Sequence, residues 1–390
     1  MQSFTFHNPT KIIFGENTIG KLAEETPKYG KKALLVSGKG AIKKNGVYDQ
    51  VIAALRQAGT EFAEFSGVQA NPVLSHTRAG IELAKKENVD MVIAAGGGSV
   101  LDEAKAICAG ASAENDVWDF YTGKAEPQSA LPLLTVLTVA ATGSEMNGGT
   151  VITNEETHEK YGWGHPLLFP KVSILDPSTT ITLGAEYTAY AAVDAATHLM
   201  ESYFTCEDTD TLIQDRYVEG LIRTIVDVTE TMIRTPDDYQ ARAVFMWAAT
   251  LAWNNIAPSG VGHWCTPNHL IGHSMSALFG TPHGASLSIA LSGWLVWYSG
   301  ESGRNGAKLA QFGKRVFDIN EPVTVRAAEL AIEALRGWFH RIHSPTKPAD
   351  IGVDDAGLLQ VAENVEFCNP HWGMPQYNKD LVASILKLCR

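Results

Sequence analysis

The spacing of apolar and polar positions changes character once along the chain. In the first half, short β-branched runs alternate with stretches whose apolar residues recur every three or four positions, the signature of parallel β-α-β units. Lys32 to Ser37 (KALLVS) predicts a buried strand and Gly46 to Ala58 a helix; His76 to Glu87 predicts a second helix, and Asp90 to Ala95 (DMVIAA) a strand running straight into Gly96-Gly97-Gly98-Ser99. A helix over Val100 to Gly110 and a strand over Leu131 to Thr138 follow. Beyond residue 183 the strand signal nearly vanishes, and helical patterns over Ala185 to Phe204, Leu212 to Ile233, Asp238 to Asn254 and Asn268 to Phe279 are separated by Pro, Gly and Asn. The expected fold is therefore α/β plus all-α. A doubly wound nucleotide-binding domain covers residues 1–183, an all-helical domain covers 184–390, and the cleft between them is the default ligand site.

Composition narrows the function. With 390 residues, 45% of them hydrophobic and 19% charged, the chain has enough apolar material for two ordinary cores. Its formal charge of −12 repels a phosphate backbone and argues against nucleic acid as a partner. The five cysteines lie far apart with no Cys-x-x-Cys pair, which speaks for a reducing compartment and against a disulfide framework or structural zinc. Met1 to Phe6 lacks a basic region followed by an apolar core, and no apolar stretch reaches spanning length. A soluble cytoplasmic protein with no membrane partner is expected.

Two regions carry candidate chemistry. A strand running through Gly96-Gly97-Gly98-Ser99 into a helix suits a phosphate, because glycines let backbone N–H groups approach the anion and the helix start is partly positive. Asp102 is read as lying in the first turn of that helix, either complementing the dipole or facing a ligand. At the end of the earlier strand, Gly38-Lys39-Gly40 replaces the acid that an NAD site places against the ribose 2′-OH, and Lys39, Lys43 and Lys44 surround it. That pattern favours NADP, with NAD as the alternative. In the second half, Asp194 and His198 are four apart, His269 and His273 repeat the spacing, and His283 follows the turn Gly280-Thr281-Pro282. Residues four apart share a helix face, so these five are candidate ligands for one borderline divalent cation such as Fe²⁺ or Zn²⁺.

Together with Thr138-Val139-Ala140-Ala141-Thr142-Gly143-Ser144-Glu145, Ile174-Leu175-Asp176-Pro177 and His269-x3-His273-x9-His283, these motifs make the chain resemble the iron-containing, group III alcohol dehydrogenases from end to end. Phe6 to Gly15 and Lys43 to Val47 resemble most the branch of butanol dehydrogenases and NADPH-dependent aldehyde reductases. The resemblance implies a dehydroquinate synthase-like fold, a homodimer, and hydride transfer between NADP(H) and short to medium alcohols or aldehydes. It implies Asp194, His198, His269 and His283 as metal ligands and His273 beside the nicotinamide, where that residue is read either as a proton relay or as a structural support of the ligands. It places Gly38, Gly40 and Lys43 at the ribose end of the cofactor, Gly97, Gly98, Ser99 and Asp102 at the pyrophosphate, and Thr138, Thr142, Asn147 and Lys160 near the nicotinamide half. Trp253 and Trp264 are read as apolar surface near the metal. A glycerol-type polyol dehydrogenase and a dehydroquinate synthase-like lyase are the rival readings.

Overall fold

The computed structural model describes residues 1–208 and 210–389, which cluster into two compact units. One comprises residues 7–183 and 237–254, the other residues 1–6, 184–236 and 255–390. The chain passes from one unit to the other between residues 183 and 184, and two further segments change unit. Gln2 donates its backbone N–H to the Gly260 carbonyl at 2.8 Å, which ties the first residues to the helical unit. The helix Tyr239–Ala252 belongs to the sheet unit, where Thr250 Oγ1 donates to Glu145 Oε1 at 2.6 Å. Neither contact leaves a local trace in the sequence.

The sheet unit contains eight strands: β1 (Lys11–Phe14), β2 (Lys32–Gly38), β3 (Glu61–Val68), β4 (Met91–Gly97), β5 (Leu133–Val139), β6 (Gly149–Asn154), β7 (Glu159–Gly164) and β8 (Val172–Leu175). Six form one sheet in the order β1-β8-β5-β4-β2-β3, every neighbouring pair parallel, while β6 and β7 form an antiparallel hairpin. All six carboxyl ends therefore share one edge. Strand order reverses between β2 and β4, since β3 lies outward on one flank and β5, β8 and β1 on the other, and such a reversal opens a crevice for ligands.

The central strands are covered on both faces, which explains why their sequences read as unbroken apolar runs. Leu35, Ile93, Leu134 and Val136 pack in one core with Val47, Val51 and Leu55 of the helix Val47–Ala58. Burying each large aliphatic side chain contributes about 1.5–3 kcal/mol. The sequence pattern does not announce β1, β3, β8 or the hairpin. β3 is an edge strand with Glu61 and Glu64 among half-exposed residues, and β1 and β8 have only four residues each, too short for a periodic signal.

In the helical unit no strand follows β8 among the described residues. The helices Ala185–Thr205, Leu212–Arg234 and Pro267–Phe279 fall within a residue or two of their sequence patterns, and His283–Glu301, which no pattern marked, follows them. Asp355–Trp372 closes one side of the Pro267–Phe279 helix. No helix of the described residues is long and apolar enough to cross a membrane.

The helix after β4 starts at Gly98, earlier than the pattern suggests, and runs to Ala111. Asp102 consequently lies in its second turn rather than its first and is buried. A Cβ on Gly98 would run into the Thr142 side chain, so the close approach of this helix start to the loop after β5 requires glycine. Gly98→Ala should destabilise the protein by roughly 1–3 kcal/mol through overpacking, read as a lower urea midpoint at unchanged m-value. An unaltered midpoint would mean that Thr142 yields at no cost.

Candidate active site

Three elements of the helical unit deliver the candidate ligands. Asp194 and His198 are one turn apart on the helix Ala185–Thr205, His269 sits in the first turn of Pro267–Phe279, and His283 is the first residue of His283–Glu301. His283 comes close to the first helix because of the residue after it: a Cβ on Gly284 would collide with the Tyr190 carbonyl, one turn ahead of Asp194. The three imidazoles converge on one atom. Nε2 of His198, His269 and His283 lie 3.7, 3.8 and 3.6 Å from Asp194 Oδ1. Ligand atoms of Asp194, His198 and His269 all lie within 4.8 Å of one another, a grouping that His283 joins through the carboxylate oxygen.

The donor set fits a divalent transition metal. Metal–ligand bonds of about 2.1 Å in a tetrahedral array separate the ligand atoms by about 3.4 Å, close to the spacing seen. One carboxylate oxygen with three imidazole nitrogens suits Fe²⁺ or Zn²⁺. Side-chain exposure is 5% for Asp194 and 8% for His198 and His269 but 22% for His283, so the cluster opens towards solvent on the His283 side, as a site that must admit a substrate requires. Burial drives the His198 imidazole down to about 4, which keeps it neutral and ready to ligate. Burial works the same way on His269, but hydrogen bonds to Asp194 and Glu201 outweigh it and push that ring up to about 9.

Glu201 is the residue that sequence reasoning missed. It is fully buried, two turns beyond Asp194, and accepts from the His269 backbone N–H at 2.9 Å, from the His269 ring Nδ1 at 3.0 Å and from the Asn268 amide at 3.2 Å. Glu201 thus holds the Nδ1 side of the ring while Nε2 faces Asp194, so a cation bound at Nε2 would displace the proton there and leave Nδ1–H on Glu201. The signal was available, since Asp194, His198 and Glu201 run at spacings of four and three along one helix face. His273 is buried one turn after His269, with its ring centroid 5.0 Å from His283 and 5.0 Å from Trp372 in an edge-on contact. Trp253 packs on Gly143.

The candidate cofactor residues gather at the carboxyl edge of the sheet. Gly97 ends β4, Gly98 and Ser99 start the helix, and Gly38 ends β2, with Gly40 and Lys43 in the turn and short helix Ala41–Lys44. Lys43 Nζ lies 3.7 Å from Glu64 Oε2 and 4.6 Å above the Tyr48 ring, on the surface. Thr138 is buried on β5 and Thr142 packs against Gly98. Asp102 and Asn147 point inward to protein partners: Asp102 accepts from Ser144 Oγ at 2.6 Å, and Asn147 donates to the Gly143 carbonyl at 2.8 Å. Lys160, on β7, donates to Asn71 at 2.8 Å.

A parallel sheet with a glycine loop at its switch point, and a helical unit holding a carboxylate among three imidazoles, suit an enzyme that uses a nucleotide and a metal. The family model for iron-containing alcohol dehydrogenase matches residues 9–177, and that for the C-terminal part of the Fe-containing alcohol dehydrogenase family matches residues 188–389. Among curated relatives, the probable NADH-dependent butanol dehydrogenase 1 of Bacillus subtilis (strain 168) is 42% identical over 390 residues, with 99% of each chain covered. The NADPH-dependent aldehyde reductase YqhD of Escherichia coli (strain K12) is 36% identical, with 94% of this chain and 93% of the relative covered. The crystal structure of NADH-dependent butanol dehydrogenase A from Thermotoga maritima superposes with a TM-score of 0.95 at 42% identity, covering 100% of this chain and 99% of that one. The chain belongs to the iron-containing alcohol dehydrogenase family and is an alcohol dehydrogenase.

Glu201→Gln preserves shape and an acceptor oxygen while removing the charge behind His269. It should weaken metal binding by roughly 10–100-fold in a chelator competition. Metal affinity equal to that of the wild type would reduce Glu201 to a packing residue.

Proposed function

We propose that the chain interconverts short to medium aldehydes and primary alcohols, using NADP(H) and one Fe²⁺ or Zn²⁺ ion held by Asp194, His198, His269 and His283. The observation that carries the reading is the convergence of three imidazole nitrogens on Asp194 Oδ1 at a solvent-facing edge. When bound, the metal supplies Lewis acidity for a carbonyl or hydroxyl oxygen and the nicotinamide supplies or accepts hydride. The protein's own part is to hold and to exclude. Asp194 and Glu201 contribute two negative charges, which balance a divalent cation in a buried setting. The buried His198 and His269 keep water from the closed side of the site. His273, held edge-on by Trp372, delivers a proton to the product oxygen or removes one from the alcohol.

In the sheet unit, Gly97, Gly98 and Ser99 receive the pyrophosphate, and Gly38, Gly40 and Lys43 receive the adenosine ribose. Thr138, Thr142 and Lys160 serve the nicotinamide half, and Asp102 and Asn147 shape the loops from within. NADP preference is supported by the absence of an acid at Gly38, where a 2′-phosphate would compete with Glu64 for Lys43. Butanol and aldehyde substrates are supported by the names of the similar proteins and by the sequence around His269 and His283, where residues 243–303 contain no Lys or Arg to pair with a phosphate or acid. That absence speaks against the lyase reading. A homodimer is supported by the exposed Phe14 and Trp247 beside the edge strand β1, and a cytoplasmic location by cysteines that form no disulfide among the described residues.

His269→Ala should abolish turnover and lower bound metal while the far-UV spectrum stays that of the wild type. Full activity in that variant would remove the metal assignment. In a coupled assay, NADPH should give a higher kcat/KM than NADH, and aldehydes of four to six carbons should exceed glyceraldehyde by roughly tenfold, from about 0.8 kcal/mol per buried methylene. Glycerol, dihydroxyacetone or a hydroxy acid ranking first would move the enzyme to the polyol reading.

A further inference from the structure

The helix Gly98–Ala111 turns one face, Gly98, Asp102 and Lys105 at spacings of four and three, towards residues 142–151. Lys105 is completely buried there. Its ammonium has three N–H groups and finds three acceptors: Ser144 Oγ at 2.8 Å, Asn147 Oδ1 at 3.0 Å and the Gly149 carbonyl at 2.7 Å. Asp102, one turn nearer the glycines, accepts from Ser144 Oγ at 2.6 Å and from the Val151 N–H at 3.1 Å, while its carbonyl accepts from Thr150 Oγ1 at 2.7 Å. Asn147 passes the restraint on, donating to the Gly143 and Trp253 carbonyls at 2.8 and 3.1 Å and accepting from the Gly149 N–H at 2.8 Å. Apart from one short turn, Ser144–Met146, residues 140–148 have no regular structure, so this network dictates their course.

The strand order says what that course serves. β4 carries the glycine loop, with β2 on one side and β5 on the other. A dinucleotide anchored by its pyrophosphate at Gly97–Ser99 extends across the end of β2 in one direction and across the loop after β5 in the other. Resting on the reading above, which places adenosine over Gly38, the nicotinamide falls to the β5 side. We propose that Lys105 is a positioning residue for the cofactor: without touching the nucleotide, its buried ammonium sets the loop from Gly143 to Gly149 and thereby selects for the nicotinamide half.

Lys105 faces Asp102 on its own helix and Glu145 in the turn, with Cys108 one turn further along and Lys160 acting on Asp102 from β7. Burial outweighs these carboxylates and brings its pKa down to about 8. As pH rises through that value the side chain gives up one of its three N–H groups, so cofactor affinity should weaken.

The test measures binding of the reduced dinucleotide, by its own fluorescence, and of ADP-ribose, which lacks nicotinamide, by calorimetry. Lys105→Gln should weaken the dinucleotide by roughly tenfold or more and leave ADP-ribose within twofold. The weakening of the wild type above pH 8 should disappear in this variant. Ser144→Ala, which removes one acceptor and leaves the charge in place, should show the same split on a smaller scale and serves if the lysine variant does not fold. Equal loss for both ligands, or loss for neither, overturns the proposal. Failure of the wild type to bind either ligand would instead overturn the nucleotide reading, and the proposal with it.

Discussion

One carboxylate oxygen organises the helical unit. Asp194 Oδ1 has three imidazole nitrogens within 3.8 Å, contributed by residues as far apart in the chain as His198 and His283. A buried charge is costly unless paired, so such a convergence makes sense only if it is discharged by a proton or a cation. The three helix segments that bring the ligands must approach closely, and glycine at 284 permits the tightest of those approaches. Glu201 completes the balance by holding the His269 ring and backbone N–H from behind.

The sheet unit follows the same rule at a different place. Its interior is apolar along β2, β4 and β5, but beside the carboxyl ends it buries Asp102, Lys105 and Glu145 among hydroxyl and amide groups. These charges lie against the loop after β5, where an apolar core would leave the backbone free to choose among many courses. The hydrogen bonds made by Asp102 and Lys105 make the arrangement tolerable, and the low local dielectric makes each bond count for more than it would at the surface. Buried charge also occurs elsewhere, as at Glu25, Glu103 and Glu219, each held by a nearby partner.

The sequence by itself determined the fold class, the strands β2, β4 and β5, the glycine loop and the four side chains that meet at the metal candidate. Each of these is local or periodic: an apolar run, a cluster of glycines, or a pair of residues four apart on one helix. The tertiary structure alone decided the rest. It placed the Tyr239–Ala252 helix with the sheet, because Thr250 and Trp253 meet Glu145 and Asn147 across more than a hundred residues. It put Trp372 against His273. It turned Asp102 and Asn147 inward, and it joined Lys105 to a loop some forty positions away. A hydrogen bond between distant residues leaves no periodicity behind, whereas the faces that must be buried are written into every turn and strand of the chain.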